Sequence, residues 1–363
     1  MKKLISLILC AVFSTVLFAA TNNINEGSLK AYRTAKSYYE NQEYGRALKN
    51  AEDAILFRRQ QAEYEIKVLT SALSPRRVQL AGDNIYDILK VLNARGEKEA
   101  ISIINLYINK KGIDFFNNSI KQLLDYINDT KSYPEAQKLI GDIYRLEGEY
   151  DFAESYYLMA LDNKEVLDIP DEQYEILYTL AEISKFQQKY DEMEIRLLNI
   201  LTEDPFYKDN GLFYSMMNTI KGNKQGAMEK YFLLYRANSY YCLSAYNQLA
   251  LYYESIGEKD KALNFSALSV ITSFSKIINI LERRNADYNY TGIESFFNEV
   301  VMYDDIMQWS YENNFWQNFN NLARITADQG YYNFSKELLL VLVEKSPDVY
   351  WQKDAVLQLS KIK

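Results

Sequence analysis

The chain has 363 residues, 48% of them hydrophobic and 14% aromatic, with 32 tyrosines but only 13 glycines and 5 prolines; so few chain breakers exclude turn-rich β folds and Gly-loop nucleotide folds and leave helices joined by short turns. Histidine is absent, which removes Ser-His-Asp and Cys-His nucleophile activation and every imidazole-based zinc site. The formal charge of −8 repels phosphate backbones and anionic lipid surfaces, which excludes nucleic acid as a partner class and favours a basic protein patch.

Met1, Lys2 and Lys3 open the chain, and an apolar run follows from Leu4 to Ala20, interrupted only by Ser6, Ser14 and Thr15, before polar Thr21, Asn22 and Asn23. A charged start, an apolar run and small residues at Ala19 and Ala20 predict a secretory signal peptide over residues 1–20, with a polar linker over 21–27. Its removal takes away Lys2 and Lys3 and leaves the mature chain more acidic. The alternative is an uncleaved inner-membrane anchor over residues 4–20, near the short limit for spanning. A lipid anchor at Cys10 is disfavoured by the bulky Leu9 before it. Once Cys10 is removed, Cys242 has no partner for a disulfide and reads as a small packed residue.

From residue 28 the chain repeats itself. Over 28–61 the marks are Thr34, Ala35, Tyr38, Tyr44, Ala47, Ala51 and Ala54. A degenerate pair over 78–112 carries Ile88, Val91, Gly96, Ala100, Ile104 and Tyr107. The same intervals return over 134–167 as Ile140, Gly141, Tyr144, Gly148, Tyr150, Ala153, Tyr157 and Ala160. They return again over 174–207 as Leu180, Ala181, Ser184, Tyr190, Met193, Leu197 and Ile200. A looser copy over 208–241, with Ser215, Gly222, Ala227, Tyr231 and Leu234, keeps nearly constant spacing with Ala181 before it and Ala250 after it. Over 243–276 stand Leu249, Ala250, Tyr253, Gly257, Ala262, Ser266 and Ser269. An irregular pair with a loop at 285–291 fills 277–313, and 316–349 holds Leu322, Ala323, Thr326, Gly330, Ser335, Leu339 and Leu342. Residues 350–363 predict an amphipathic helix covering the end of the array.

Each interval has a mechanical reason. The small residue of the first helix (Ala35, Gly141, Ala181, Ala250, Ala323) lets the second helix approach, and the small residue twelve later (Ala47, Ala153, Ala262) stands across the gap. Gly148, Gly257 and Gly330 fall where the first helix must end, a place for positive φ. Pro205 and Pro347 are expected to stop second helices.

This pattern resembles the tetratricopeptide repeat, and the resemblance covers most of residues 28–349. It implies an all-α fold, a right-handed α-solenoid of stacked TPR helix hairpins with a concave binding face. Where the family commonly carries Trp in the first helix, Ala31, Gln137, Leu177, Tyr246 and Phe319 stand here. Carried over by phase, the groove-facing residues would be Arg33, Lys36, Asp142, Arg145, Glu182, Asn247, Leu251, Asn320, Asn321 and Arg324. The ordered Lys and Asn clamp of chaperone-binding relatives is missing; Asn320, Asn321 and Arg324 are its nearest echo. All three Trp (Trp309, Trp316, Trp351) lie near the C-terminus, and Met307 with Trp309 forms a candidate aromatic interface.

No phosphate loop, Cys pair or metal-ligand spacing is present. Asp304 and Asp305, and Glu147, Glu149 and Asp151, read as solvated acids. The arginine pairs 58/59, 76/77 and 283/284 read as exposed helix ends or contacts to an anionic partner. The expected function is therefore non-enzymatic and without a cofactor, a periplasmic protein-interaction scaffold in an envelope-associated assembly. Exported chains of this composition look like those of spirochaetes, some of which form the collar of the periplasmic flagellar motor. Two alternatives are an accessory subunit for outer-membrane assembly or solute uptake, and a hydrolase using paired carboxylates.

Overall fold

The computed structural model describes residues 27–73 and 83–362. The predicted signal peptide, Cys10, most of the 21–27 linker and the Arg76/Arg77 pair lie outside the described residues. The fold is all-α. Among the described residues there is no strand beyond one isolated antiparallel bridge between Asn84 and Ser119, and the chain divides into two compact units, one through Ile176 and one from Leu177.

In the first unit, α1 (27–40) is followed by α2 (Tyr44–Ala72), α3 (Ile85–Arg95), α4 (Lys98–Lys111), α5 (Ile120–Asp129), α6 (Pro134–Glu147) and α7 (Tyr150–Asp162). Helix α8 (Glu172–Phe186) carries the chain into the second unit. There follow α9 (Tyr190–Leu201), α10 (Pro205–Lys208), α11 (Asn210–Lys221), α12 (Ala227–Leu234), α13 (Leu243–Ser255) and α14 (Lys259–Arg284). The last elements are α15 (Ile293–Met302), α16 (Asp304–Glu312), α17 (Phe315–Asp328), α18 (Tyr332–Lys345) and α19 (Val349–Lys361).

One turn closes six helix pairs. The first helix ends on a residue of positive φ: Gln42, Gly96, Gly148, Gln188, Gly257 and Gly330. The next residue (Glu43, Glu97, Glu149, Lys189, Glu258, Tyr331) has φ between −77° and −90° and ψ between 58° and 70°. Its N–H donates to the carbonyl five residues back, at Tyr38, Leu92, Tyr144, Ser184, Tyr253 and Thr326, over 2.8–3.1 Å. This is the Schellman arrangement, which satisfies carbonyls the helix end leaves free. Gln42 and Gln188 adopt the left-handed conformation with a Cβ present, at a cost of roughly 1 kcal/mol each. Gln188→Gly is therefore expected to raise the denaturation midpoint. Gly148→Ala should lower stability by about 1 kcal/mol from backbone strain alone, because an added Cβ there meets nothing within 4 Å.

The small residues are buried between the paired helices: Ala35, Ala47, Ala153, Ala181 and Ala323 at 0%, with Gly141, Ala250 and Ala262 also buried. Across the last pair, the Ser335 hydroxyl donates to the Ala323 carbonyl over 2.6 Å. The side chain that closes over Gly141 is Tyr157, whose ring would stand 2.9 Å from a Cβ added to the glycine.

Packing order departs from chain order. Helix α2 runs to Ala72, well beyond residue 61, and packs along one part on α6 and along another on α4 and α5. The 85–111 pair therefore sits on the flank of α2, around Leu69, Ile85, Ile88, Leu92, Ile104 and Leu123, instead of being stacked between its chain neighbours. The second unit repeats the device. Helix α9 packs directly on α13, and α14 directly on α17.

The 205–234 segment is thereby displaced from the in-line position its spacing suggested. Its second helix, α12, packs against α18, because Tyr231 and Phe232 are fully buried against Phe334, Phe274 and Phe319. The Glu337 carboxylate on α18 accepts from the N–H of Gly226 (2.6 Å) and Met228 (3.1 Å), capping α12 from more than a hundred residues away. Gly222, expected to end the first helix of that pair, is right-handed; Asn223 and Gly226 carry the positive φ. Pro205 also differs from expectation. Helix α9 has already ended at Leu201, and Pro205 opens α10 at its first position, where proline's fixed φ suits a helix start.

Helix α14 is long and apolar enough to cross a membrane, yet 78% of its most apolar window is buried within the fold, which makes it a core helix. Helix α19 packs on α17 and α18 and leaves Val349, Tyr350, Val356 and Leu357 exposed.

Candidate functional site

The residues assigned to a concave groove fall into two groups. In the first unit, Arg33 and Lys36 are exposed on α1. Arg33 lines an open cleft with Leu29, Lys30, Thr34, Ser37 and Tyr38. Asp142 and Arg145 are half-buried and already engaged. The Tyr157 hydroxyl donates to Asp142 over 2.7 Å, and burial raises the Asp142 carboxyl above its ordinary range despite that bond. Burial pulls the Arg145 guanidinium down, but the Tyr157 hydroxyl and the Asp142 charge more than restore it. These two residues join α6 to α7 before they meet any partner.

In the second unit, Glu182 and Leu251 are exposed, and Asn247 and Asn321 are half-buried. Asn320 corrects the expectation: it is 0% exposed, and its amide donates to the Trp316 carbonyl within its own helix over 3.0 Å. Arg324 is committed as well, gripping Glu254 of α13 through both guanidinium nitrogens, with Nη2 to Oε2 at 2.9 Å. Helical phase placed these residues on an open face, but α17 is enclosed by α14, α16, α18 and α19. The weak echo of a carboxylate clamp therefore has no accessible donor at Asn320.

Met307 and Trp309 are half-buried on α16. Trp316 is buried among Phe297 and Phe315, with ring centroids 5.2 and 5.0 Å away. The charged pairs are largely used at home. Arg284 meets Asp305 at 2.6 Å and lies over the Tyr303 ring. Arg58, expected at an exposed helix end, lies inside α2, half-buried over the Tyr133 ring.

Burial raises three carboxylates of the first unit, Asp142, Glu135 and Glu172. Glu135 is pushed up by burial while accepting from the Asp168 N–H at 2.6 Å, and Glu172 is pushed up by burial beside Lys138. Among the described residues, no group of three or more acidic or Cys side chains could hold a metal ion. Cys242 is 0% exposed, and burial drives its thiol far above its ordinary range, so it has none of the thiolate character that reactivity needs.

Sequence reasoning missed a cleft of about 710 Å³ in the second unit, framed by α9, α10, α11, α13 and α14. Its walls come from residues spread between Glu194 and Leu268, and no local spacing links them.

No family model matches the chain. A protein of Treponema pallidum (strain Nichols), described as uncharacterized, is 29% identical over 332 residues, covering 90% of this chain and 88% of the relative. The likeness thus runs through both units.

Proposed function

We propose that this chain is a non-enzymatic protein-interaction scaffold, built from tetratricopeptide-like helix pairs and acting in the periplasm within an envelope-associated assembly. The observation that carries the reading is the recurrence of one Schellman turn in six helix pairs, together with buried small residues where paired helices meet. Repeated pairs of this kind make extended surfaces suited to binding partners. The acids raised by burial support a role without catalysis, since Glu135 and Asp142 are held by donors of the chain itself.

The partners are other proteins of the envelope, and the assembly we name is the collar of the periplasmic flagellar motor; that choice draws on composition and on the source of the full-length relative. Neither nucleic acid nor a small-molecule cofactor enters, and membrane contact is indirect or through an uncleaved anchor at residues 4–20.

Affinity capture of the cross-linked envelope complex, followed by N-terminal sequencing and identification of co-purifying chains, tests the reading. We expect a mature chain beginning near Thr21 together with stoichiometric envelope proteins. A full-length chain recovered alone from cytosol would overturn both the location and the scaffold role.

A further inference from the structure

The 710 Å³ cleft of the second unit is built from α9, the α10–α11 excursion, Tyr253 of α13 and the start of α14, and none of the groove residues considered above lines it. Its apolar side is an aromatic ladder: Tyr253 stacks on Phe265 at 5.4 Å and 12°, and Tyr207 stacks on Phe265 at 6.3 Å and 23°. Half-buried Phe213 also lines the cleft. Burial raises the Tyr253 and Tyr207 phenols, and the Tyr253 hydroxyl is spent on Glu194, so the ladder stays neutral and offers faces in place of charge.

Two cations flank it. Lys261 lies over the Tyr253 ring, 4.7 Å from its centroid, and Lys208 is exposed at the end of α10. Among the described residues neither has a carboxylate partner, in a protein whose acids outnumber its basic residues 49 to 41. The cleft also presents the side-chain amides of Asn210 and Asn264, which have no hydrogen-bond partner among the described residues. An amide carries both a donor and acceptors, which suits the peptide groups of an extended chain.

We infer that the cleft binds an extended peptide segment carrying acidic residues beside an aromatic one. The aromatic side chain lies against Phe265 and Phe213, the acids meet Lys208 and Lys261, and Asn210 and Asn264 hold the backbone. This rests on the scaffold reading for its biological sense but not for its test.

The probe is a fluorescein-labelled, C-terminally amidated peptide Glu-Asp-Trp-Glu-Asp, titrated into the purified mature chain by fluorescence polarisation, with matched peptides bearing Lys for each acid or Ala for Trp. Binding in the micromolar range is expected, weakened about tenfold or more by either peptide change and by Lys208→Glu or Lys261→Glu. Phe213→Ala should weaken it similarly. Glu258→Lys, on an exposed position outside the cleft, should leave it unchanged, and circular dichroism melts establish that each variant is folded. Absence of binding below millimolar concentration, equal binding of the Lys peptide, or binding of free indole-3-acetate without the peptide would each overturn the proposal. Peptide binding with no complex captured from the envelope keeps the cleft and sinks the scaffold role; a captured complex without peptide binding does the reverse.

Discussion

Ala153→Arg is expected to cost about 4 kcal/mol or more, because it adds overpacking to a buried, unpaired charge. Ala153 is 0% exposed in the first turn of α7, where its N–H already binds the Glu149 carbonyl. Tyr157, one turn further on, is itself pressed on Gly141, so the surroundings have no room to yield. Displacing α7 would also pull the Tyr157 hydroxyl from Asp142. Ala262→Arg poses the same problem between α13 and α14, with 2% of Ala262 exposed. Asp151→Arg, on an exposed neighbouring position, is the control and should change stability by less than about 0.5 kcal/mol. Urea denaturation of the mature chain reads the difference; near-equal midpoints for Ala153→Arg and Asp151→Arg would mean that α6 and α7 do not pack as described.

The helical class could be read from the sequence because it follows from what is scarce, namely breakers, and from intervals that sterics impose. Ala35, Ala153 and Ala323 are small for the same reason: two helix backbones approach there, and that requirement is local. The turns were only half legible. Gly148, Gly257 and Gly330 advertise positive φ, but Gln42 and Gln188 adopt the same conformation without the residue that signals it, because the Schellman bonds and helix packing outweigh the strain.

Order of packing was not legible at all. The spacing of Ser215 between Ala181 and Ala250 suggested a pair in line, yet α9 reaches α13 directly. What displaces the intervening segment is a set of distant contacts from α12, Tyr231 to Phe334 and Glu337 to the Gly226 and Met228 N–H groups, which no interval records. Asn320 was misplaced for a related reason. Helical phase gives the face of Asn320 but not the helices that come to enclose α17. The cleft at Tyr207, Phe213 and Phe265 was missed because it exists only after α10 and α11 have been placed beside α14.

Phe232→Ala is expected to destabilise the second unit by roughly 3–5 kcal/mol, the range for truncating a buried aromatic whose cavity cannot collapse. Phe232 is 0% exposed; its ring lies parallel to Phe319 at 5.6 Å and against Phe274 at 4.9 Å. Those partners belong to α17 and α14, so one side chain ties the excursion to both neighbouring pairs. Phe319 is in turn locked by Phe297 and Phe315 at 5.3 and 4.5 Å, a close-packed ring cluster with little freedom to fill a hole. The next residues along α12 provide the contrast. Leu233 and Leu234 are 58% and 54% exposed, and truncating either should cost less than about 0.5 kcal/mol. Hydrogen exchange gives the second readout, since losing Phe232 should raise exchange first at the Gly226 and Met228 amides, which are held by Glu337 on α18. If Phe232→Ala melts with the unaltered chain while Leu233→Ala does not, α12 is packed through its other face and the route by which the 205–234 segment reaches α18 is wrong.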